Sequence, residues 1–260
     1  MGVPDGVTEN RAVAENQGVG MAQRVVVVGG TSGIGLAVAA GQQARGREVV
    51  VTGRSRERLD AALAALGEGA SGRTADAGDE AGMRELFAGL GRVDHVVITA
   101  TGASAAGPFR DLAVADLRTA VEGKLVAQTV AAQAALGALA PEGSLTFVTA
   151  GSSGSSRPGT AGLAAVNAAV EAMVPVLAVE LAPVRVNAVS PGIVATPWWD
   201  WMPAEDRRQV FDTYAKTAPA GRVGTPEDLA EAIGYLIEST FTTGVVLPVD
   251  GGSRLSPAAL

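Results

Sequence analysis

The chain has 260 residues, 47% hydrophobic and 18% charged, which supplies material for a large core and argues against disorder. A formal charge of −7 argues against nucleic acid or an anionic membrane as the main partner. With no cysteine, disulfides and thiolate metal sites are excluded, no metal site is expected, and a cytoplasmic setting is expected.

Residues 1–20 carry Gly, Asn, Glu and Gln with no apolar signal region and are expected to be a flexible tail ahead of one folded unit over 21–260. Arg24–Val28 reads as a buried strand, followed by a glycine-rich turn and a helix over about Gly33–Ala44. Glu48–Thr52 is a second strand and Glu57–Leu66 its helix. A weak third strand ends near Asp76, and Asp79 caps a helix to about Leu90. His95–Thr99 is the fourth strand, a long helix covers roughly Ala115–Leu139, and Ser144–Val148 is the fifth strand. Another long helix spans about Thr160–Leu181, with Pro175 inside it predicting a bend. Val184–Val189 and Val245–Val249 complete the strands. The most apolar stretches, Ala127–Ala140 and Ala161–Leu181, carry Gln128, Gln133, Asn167, Glu171 and Glu180 at helical intervals, so they read as packed helices rather than membrane spans.

Continuous apolar strands alternating with helices imply an α/β, doubly wound parallel sheet of about seven strands, a Rossmann-type single domain with helices on both faces. Ligands bind such sheets at the carboxyl ends of the strands. There, Val28-Gly29-Gly30-Thr31-Ser32-Gly33-Ile34-Gly35 follows the first strand and opens a helix. The glycines permit a tight turn and close backbone approach to a pyrophosphate, while the helix start supplies free N–H groups. The second strand ends Thr52-Gly53-Arg54-Ser55, with no acid to accept from a free ribose 2′-hydroxyl. Arg54, with Ser55, suits a 2′-phosphate and hence NADP(H). Arg54 could instead belong to a solvated helix start with Arg56 and Arg58.

Together these motifs resemble the short-chain dehydrogenase/reductase superfamily over nearly all of residues 21–260. The resemblance implies that Asp76 meets the adenine and that Asp94–Ala100 is the strand leading to the family's Asn-Asn-Ala-Gly turn, with Ile98 and Thr99 in place of the asparagines and Ala100 against the cofactor. Arg185–Pro197 matches the family's Pro-Gly segment, which implies that Ile193 and Thr196 hold the nicotinamide carboxamide. Gly221-Arg222, Pro226–Asp228, Gly244 and Asp250–Gly252 resemble its C-terminal signature. The family's two long Ala-rich helices form its usual dimer face, implying a homodimer or homotetramer.

The departure from the family is equally specific. Aligning Asn167–Val170 with the family's Lys-Ala-Ala-Val puts Asn167 at the catalytic lysine and Leu163 at the catalytic tyrosine. The chain's two tyrosines, Tyr214 and Tyr235, and two lysines, Lys124 and Lys216, lack the required spacing. Lys124 falls about where the family has an active-site asparagine, as though the two residues were exchanged between helices; an ordinary surface lysine is the alternative. Thr149 or Ala150 stands at the family serine, and Ser152 is the hydroxyl expected to polarise a substrate, unless it is merely a loop serine. His95, the only histidine, starts a strand and reads as structural; Tyr235 reads as core. The three tryptophans, Trp198, Trp199 and Trp201, with Phe211 and Tyr214, occupy the region of the family's substrate lid, about 197–218. They form either a core cluster or a lid over a bulky, apolar or aromatic small molecule. The expected function is an NADPH-dependent reductase of a C=O or C=N bond with unusual acid catalysis by Lys124, Ser152 and Asn167. A non-redox isomerase, cyclase or dehydratase, or an NADP(H)-binding protein without chemistry, remains the alternative.

Overall fold

A computed structural model describes residues 22–102 and 105–256. The expected tail lies outside the described residues. Seven strands form one parallel sheet in the order β3-β2-β1-β4-β5-β6-β7. They are β1 (Arg24–Val28), β2 (Glu48–Gly53), β3 (Ala70–Thr74), β4 (Val93–Ile98), β5 (Leu139–Val148), β6 (Arg185–Pro191) and β7 (Val246–Val249). The helices are α1 (Gly33–Gln43), α2 (Arg56–Leu66), α3 (Glu80–Leu90), α4 (Val114–Ala120), α5 (Ala127–Ala135), α6 (Ala161–Glu180), α7 (Ala204–Thr217) and α8 (Pro226–Glu238). The strand order reverses between β1 and β4, where a doubly wound sheet opens its ligand crevice.

The alternation of side chains along a strand explains why β1 is valine at four successive positions. Val26 and Val28 face one core, with Met83, Phe87 and Val170 from α3 and α6; Val25 and Val27 face the other, with Val38, Leu229 and Ile233 from α1 and α8. Each such valine fully withdrawn from water contributes roughly 1.5–3 kcal/mol.

Three local expectations change. The long helix expected over 115–139 stops at Ala135, and β5 begins at Leu139, running through Pro141-Glu142-Gly143 before its regular register with β4 at Ser144. That helix is also not continuous: Val121–Val126 winds as a π-helical turn between α4 and α5. Tyr235 is 55% exposed rather than core, because the buried face of α8 is Leu229, Ile233, Leu236 and Ile237. Pro175 sits inside α6, which nonetheless runs for 20 residues.

α6 is long and apolar enough, by composition, to cross a membrane. Here its inner face, Val166, Val170 and Val174, is buried on the sheet and its outer face exposes Val176 and Val179. At the amino ends of the strands a polar cluster closes the fold. Arg185 donates to the Leu236 and Ile237 carbonyls (2.6 and 2.8 Å), serving the unpaired C-terminus of α8. Beside it His95 Nδ1 pairs with Ser144 Oγ at 2.9 Å. Burial, with Arg47 and Arg185 nearby, lowers the His95 pKa to about 4. The histidine is structural, as expected from its strand position.

Candidate active site

At the carboxyl ends of the strands lies a cleft of about 870 Å³. Gly29, Ser32, Gly33, Ile34 and Gly35 line one end; Lys124, Ser152, Leu163 and Asn167 line the other; Ile193, Thr196, Trp198, Trp199 and Tyr214 lie along its side.

The glycine turn is built by exclusion of side chains. A Cβ on Gly35 would fall inside the Gly29 carbonyl, so only glycine lets α1 start this close to the turn. Thr99 Oγ1 donates into the same place, to the Val28 and Gly29 carbonyls (3.1 and 3.0 Å), pinning the end of β4 to the turn. Caps differ among the helices. Ser55, Asp79 and Thr225 cap α2, α3 and α8 with their side chains, whereas Ser32 makes no such bond to α1. The free N–H groups of α1, with no acid in its first turn, therefore face the cleft as an anion-binding end.

The second strand accounts for the missing acid. A Cβ at Gly53 would lie 2.5 Å from Thr31 Cγ2, so Thr31 fills the space an acidic side chain would need. Arg54 is exposed at the mouth of a second cavity of about 490 Å³, shared with Arg73, Asp76 and Asp79. Arg56 is held by Asp60 on the surface of α2, whereas Arg54 makes no ion pair among the described residues. Arg54 after a β2 end that carries no acid, with Arg73 from β3 beside it, suits a phosphate on the ribose 2′-position; the acids of the cavity, Asp76, Asp79 and Glu85, come from beyond β3. Asp76 accepts from Gly78 N at 3.0 Å.

Some expected contacts fall elsewhere. Thr31, Ser55, Ala100 and Trp201 do not line the cleft. Thr31 packs on Gly53. Ser55 caps α2 by accepting from Arg58 N at 3.3 Å. The Ala100 carbonyl accepts from Gln128. Trp201, 55% exposed, stands edge-on to Trp198 at 6.0 Å. Trp198 and Trp199 remain on the cleft, perpendicular at 4.8 Å, with Trp199 Nε1 donating to Val194 O at 3.0 Å. Tyr214 is buried, and its hydroxyl donates to Asp250 O at 2.6 Å, tying α7 to the end of β7.

Lys124 is not a surface lysine. It lies in the π-helical turn, a winding often found at functional sites, and is only 7% exposed. Nζ donates to Thr149 O at 3.4 Å, and burial lowers the lysine's pKa to about 8 while Glu171 opposes the shift. One helical turn on, Gln128 is fully buried and donates to Ala100 O (2.9 Å) and Val148 O (3.0 Å), clipping the ends of β4 and β5 beneath the cleft. On α6, Asn167 Nδ2 donates to Ser152 Oγ at 3.2 Å and to Leu163 O at 2.8 Å. Its Oδ1 is buried without a partner among the described residues. Lys124 and Asn167, from different helices, thus line one cleft with Ser152. Glu171, which accepts three hydroxyls at the end of β5 and β6, was not among the expected site residues. Its signal was an acid four residues after Asn167 within an otherwise apolar helix.

The family model described as enoyl-(acyl carrier protein) reductase matches residues 28–254. A granaticin polyketide synthase protein of Streptomyces violaceoruber, named as a ketoacyl reductase, is 36% identical over 88% of this chain and 95% of its own. A cis-4-hydroxycyclohexanecarboxylate dehydrogenase of Sinomonas cyclohexanicum is 33% identical over 90% and 98%. Among solved structures, a small-chain dehydrogenase in complex with NADPH shares 32% identity, with a TM-score of 0.77 over 90% of this chain and 100% of that one. An actinorhodin polyketide ketoreductase variant with NADPH shares 28% identity, with a TM-score of 0.80 over 90% and 97%. Matched over residues 28–254 by the family model and at more than 30% identity by relatives covered almost in full, the chain belongs to the short-chain dehydrogenase/reductase superfamily.

Proposed function

We propose that this protein is an NADPH-dependent reductase of a C=O or C=N bond in a bulky, apolar or aromatic small molecule, with Lys124 in place of the family tyrosine as proton donor. The observation that carries the reading is the buried Lys124 ammonium on the cleft beside the Ser152–Asn167 pair. Bound at the glycine turn, the dinucleotide supplies hydride. Arg54 and Arg73 would select its 2′-phosphate, and the α1 N-terminus would receive its pyrophosphate. Ser152 Oγ, held by Asn167, donates to the acceptor atom of the substrate. Lys124 Nζ then gives a proton to the oxygen as hydride adds to carbon, and is left as a neutral amine for solvent to reprotonate. An iminium needs no such proton and depends on Lys124 least; an unactivated ketone, for which a general acid is worth typically 10²–10⁴-fold, depends on it most.

Pro197–Trp201 and α7 form the substrate lid in this reading, and the exposed apolar face of α6 with Val176 and Val179 supports a homodimer or homotetramer. The test is a titration with NADPH and NADH followed by tryptophan fluorescence, for wild type and Arg54→Ala. Tight NADPH binding that weakens selectively in the variant supports the cofactor assignment; equal affinity for the two nucleotides overturns it. A second reading, a non-redox enzyme using bound nucleotide as scaffold, is favoured by the apolar Leu163 at the tyrosine position. Substrate conversion with no change in the nucleotide would establish it.

A further inference from the structure

The cleft lysine is sparsely supported. Lys124 Nζ makes one long hydrogen bond among the described residues, to Thr149 O, so a buried ammonium keeps most of its donor capacity unspent. A charge placed in this way requires compensation close by. Glu171 provides it from α6, one turn beyond Asn167. Its Oε1 accepts from Thr149 Oγ1 at 2.7 Å, Ser153 Oγ at 2.8 Å and Ser190 Oγ at 3.0 Å. Three hydroxyls thus converge on one carboxylate oxygen, with Thr149 Oγ1 and Ser153 Oγ also within reach of the Val189 and Ala150 carbonyls (3.2 and 3.1 Å). Thr149 joins the two charges, its carbonyl receiving Lys124 and its hydroxyl reaching Glu171. The other polar groups around the lysine, Gln128 on its own helix and Asn167 on α6, are neutral, and Glu171 is the one charged side chain acting on it among the described residues. Ser153 belongs to the Gly151–Gly154 turn, so the same carboxylate anchors the loop that carries Ser152. Glu171 itself does not line the cleft and acts through these neighbours.

We propose that Glu171 is a positioning residue of the active site: through Thr149 it holds Lys124 in place as an ammonium, and through Ser153 it fixes the turn that presents Ser152. The proposal rests on the reading that Lys124 serves the cleft, but its test needs neither substrate nor nucleotide. The chain has two lysines, so protein labelled with carbon-13 at lysine Cε gives two side-chain signals, and Lys216→Arg assigns them. Glu171→Gln keeps the shape and an acceptor oxygen while removing the charge. The Lys124 titration midpoint, about 8 in the native chain, is expected to fall by about one unit, with Lys216 unmoved. Glu171→Asp, which keeps the charge on a shorter arm, is expected to recover part of that shift. A Lys124 midpoint that stays in place in folded Glu171→Gln overturns the proposal. If that variant does not fold, Glu171→Asp decides alone: a moved midpoint supports the link and an unmoved one overturns it. A shifted midpoint in a protein that transfers no hydride would sink the reductase reading and leave this proposal standing.

Discussion

At the nucleotide end of the cleft the site is made of backbone and excluded volume: Gly35 against the Gly29 carbonyl, Gly53 against Thr31, and the uncapped start of α1. At the other end it is made of polar side chains on three elements: the buried Lys124 in the π-helical turn, the buried Asn167 and half-buried Glu171 on α6, and the half-buried Ser152 in the turn after β5. The two ends tolerate change differently. Backbone geometry that approaches a pyrophosphate admits few alternatives, so that end keeps its family pattern. Polar side chains can be exchanged between facing helices while a cation and an amide remain on the same cleft. Under the proposed function, chemistry is rebuilt at one end of a shared crevice while binding is kept at the other.

The comparison breaks most sharply if the ends cannot be separated by mutation. Lys124→Met removes the ammonium and keeps the volume. It should lower turnover by about 10²–10⁴-fold while leaving NADPH affinity within a few-fold, measured by steady-state kinetics and fluorescence titration. The reverse case is Gly35→Ala, whose methyl collides with the Gly29 carbonyl. That variant should lose NADPH binding and about 1–3 kcal/mol of stability in denaturant unfolding, and unchanged affinity would show the turn to be less constrained than described. Arg54→Ala is milder: NADPH affinity should drop by about tenfold to a hundredfold with NADH affinity unmoved.

pH separates the ends further. Because Lys124 titrates at about 8 and its protonated form is the donor, turnover should decline as pH rises through that value, while NADPH binding shows no matching step. His95 supplies a control far from both ends. Its folded pKa of about 4 lies below the ordinary 6.5, so the unfolded chain takes up a proton first as pH falls. Stability should therefore decrease between pH 6.5 and 4, by on the order of 3 kcal/mol in the limit, and His95→Gln should flatten that dependence without altering nucleotide selectivity.

Much of this was legible in the sequence, for physical reasons that also mark where legibility ended. Buried parallel strands are valine-rich runs, so β1, β2 and β4 stood out, and Asp79 announced the start of α3 through its capping chemistry. The start of β5 did not, because Ala140-Pro141-Glu142-Gly143 has none of the character of a strand. Nor did the π-helical turn, whose composition matches the helices on either side although it sets the direction of Lys124. Tyr235 was misplaced because an apolar neighbourhood concealed its position off the buried face of α8. The exchange of Lys124 and Asn167 could be read from the alignment of motifs, but their meeting on one cleft required the fold. Glu171 was visible only as an acid in an apolar helix; its three hydroxyl donors come from positions 149, 153 and 190, which nothing local in the sequence connects.

The most direct test of the central claim is stopped-flow consumption of NADPH over a panel of cyclic imines and activated carbonyls, with wild type and Lys124→Met compared at about pH 7. The account predicts hydride transfer by the wild type, fastest on iminium-type acceptors, with the carbonyl reactions lost in the variant. Carbonyl reduction that survives Lys124→Met unchanged would contradict it.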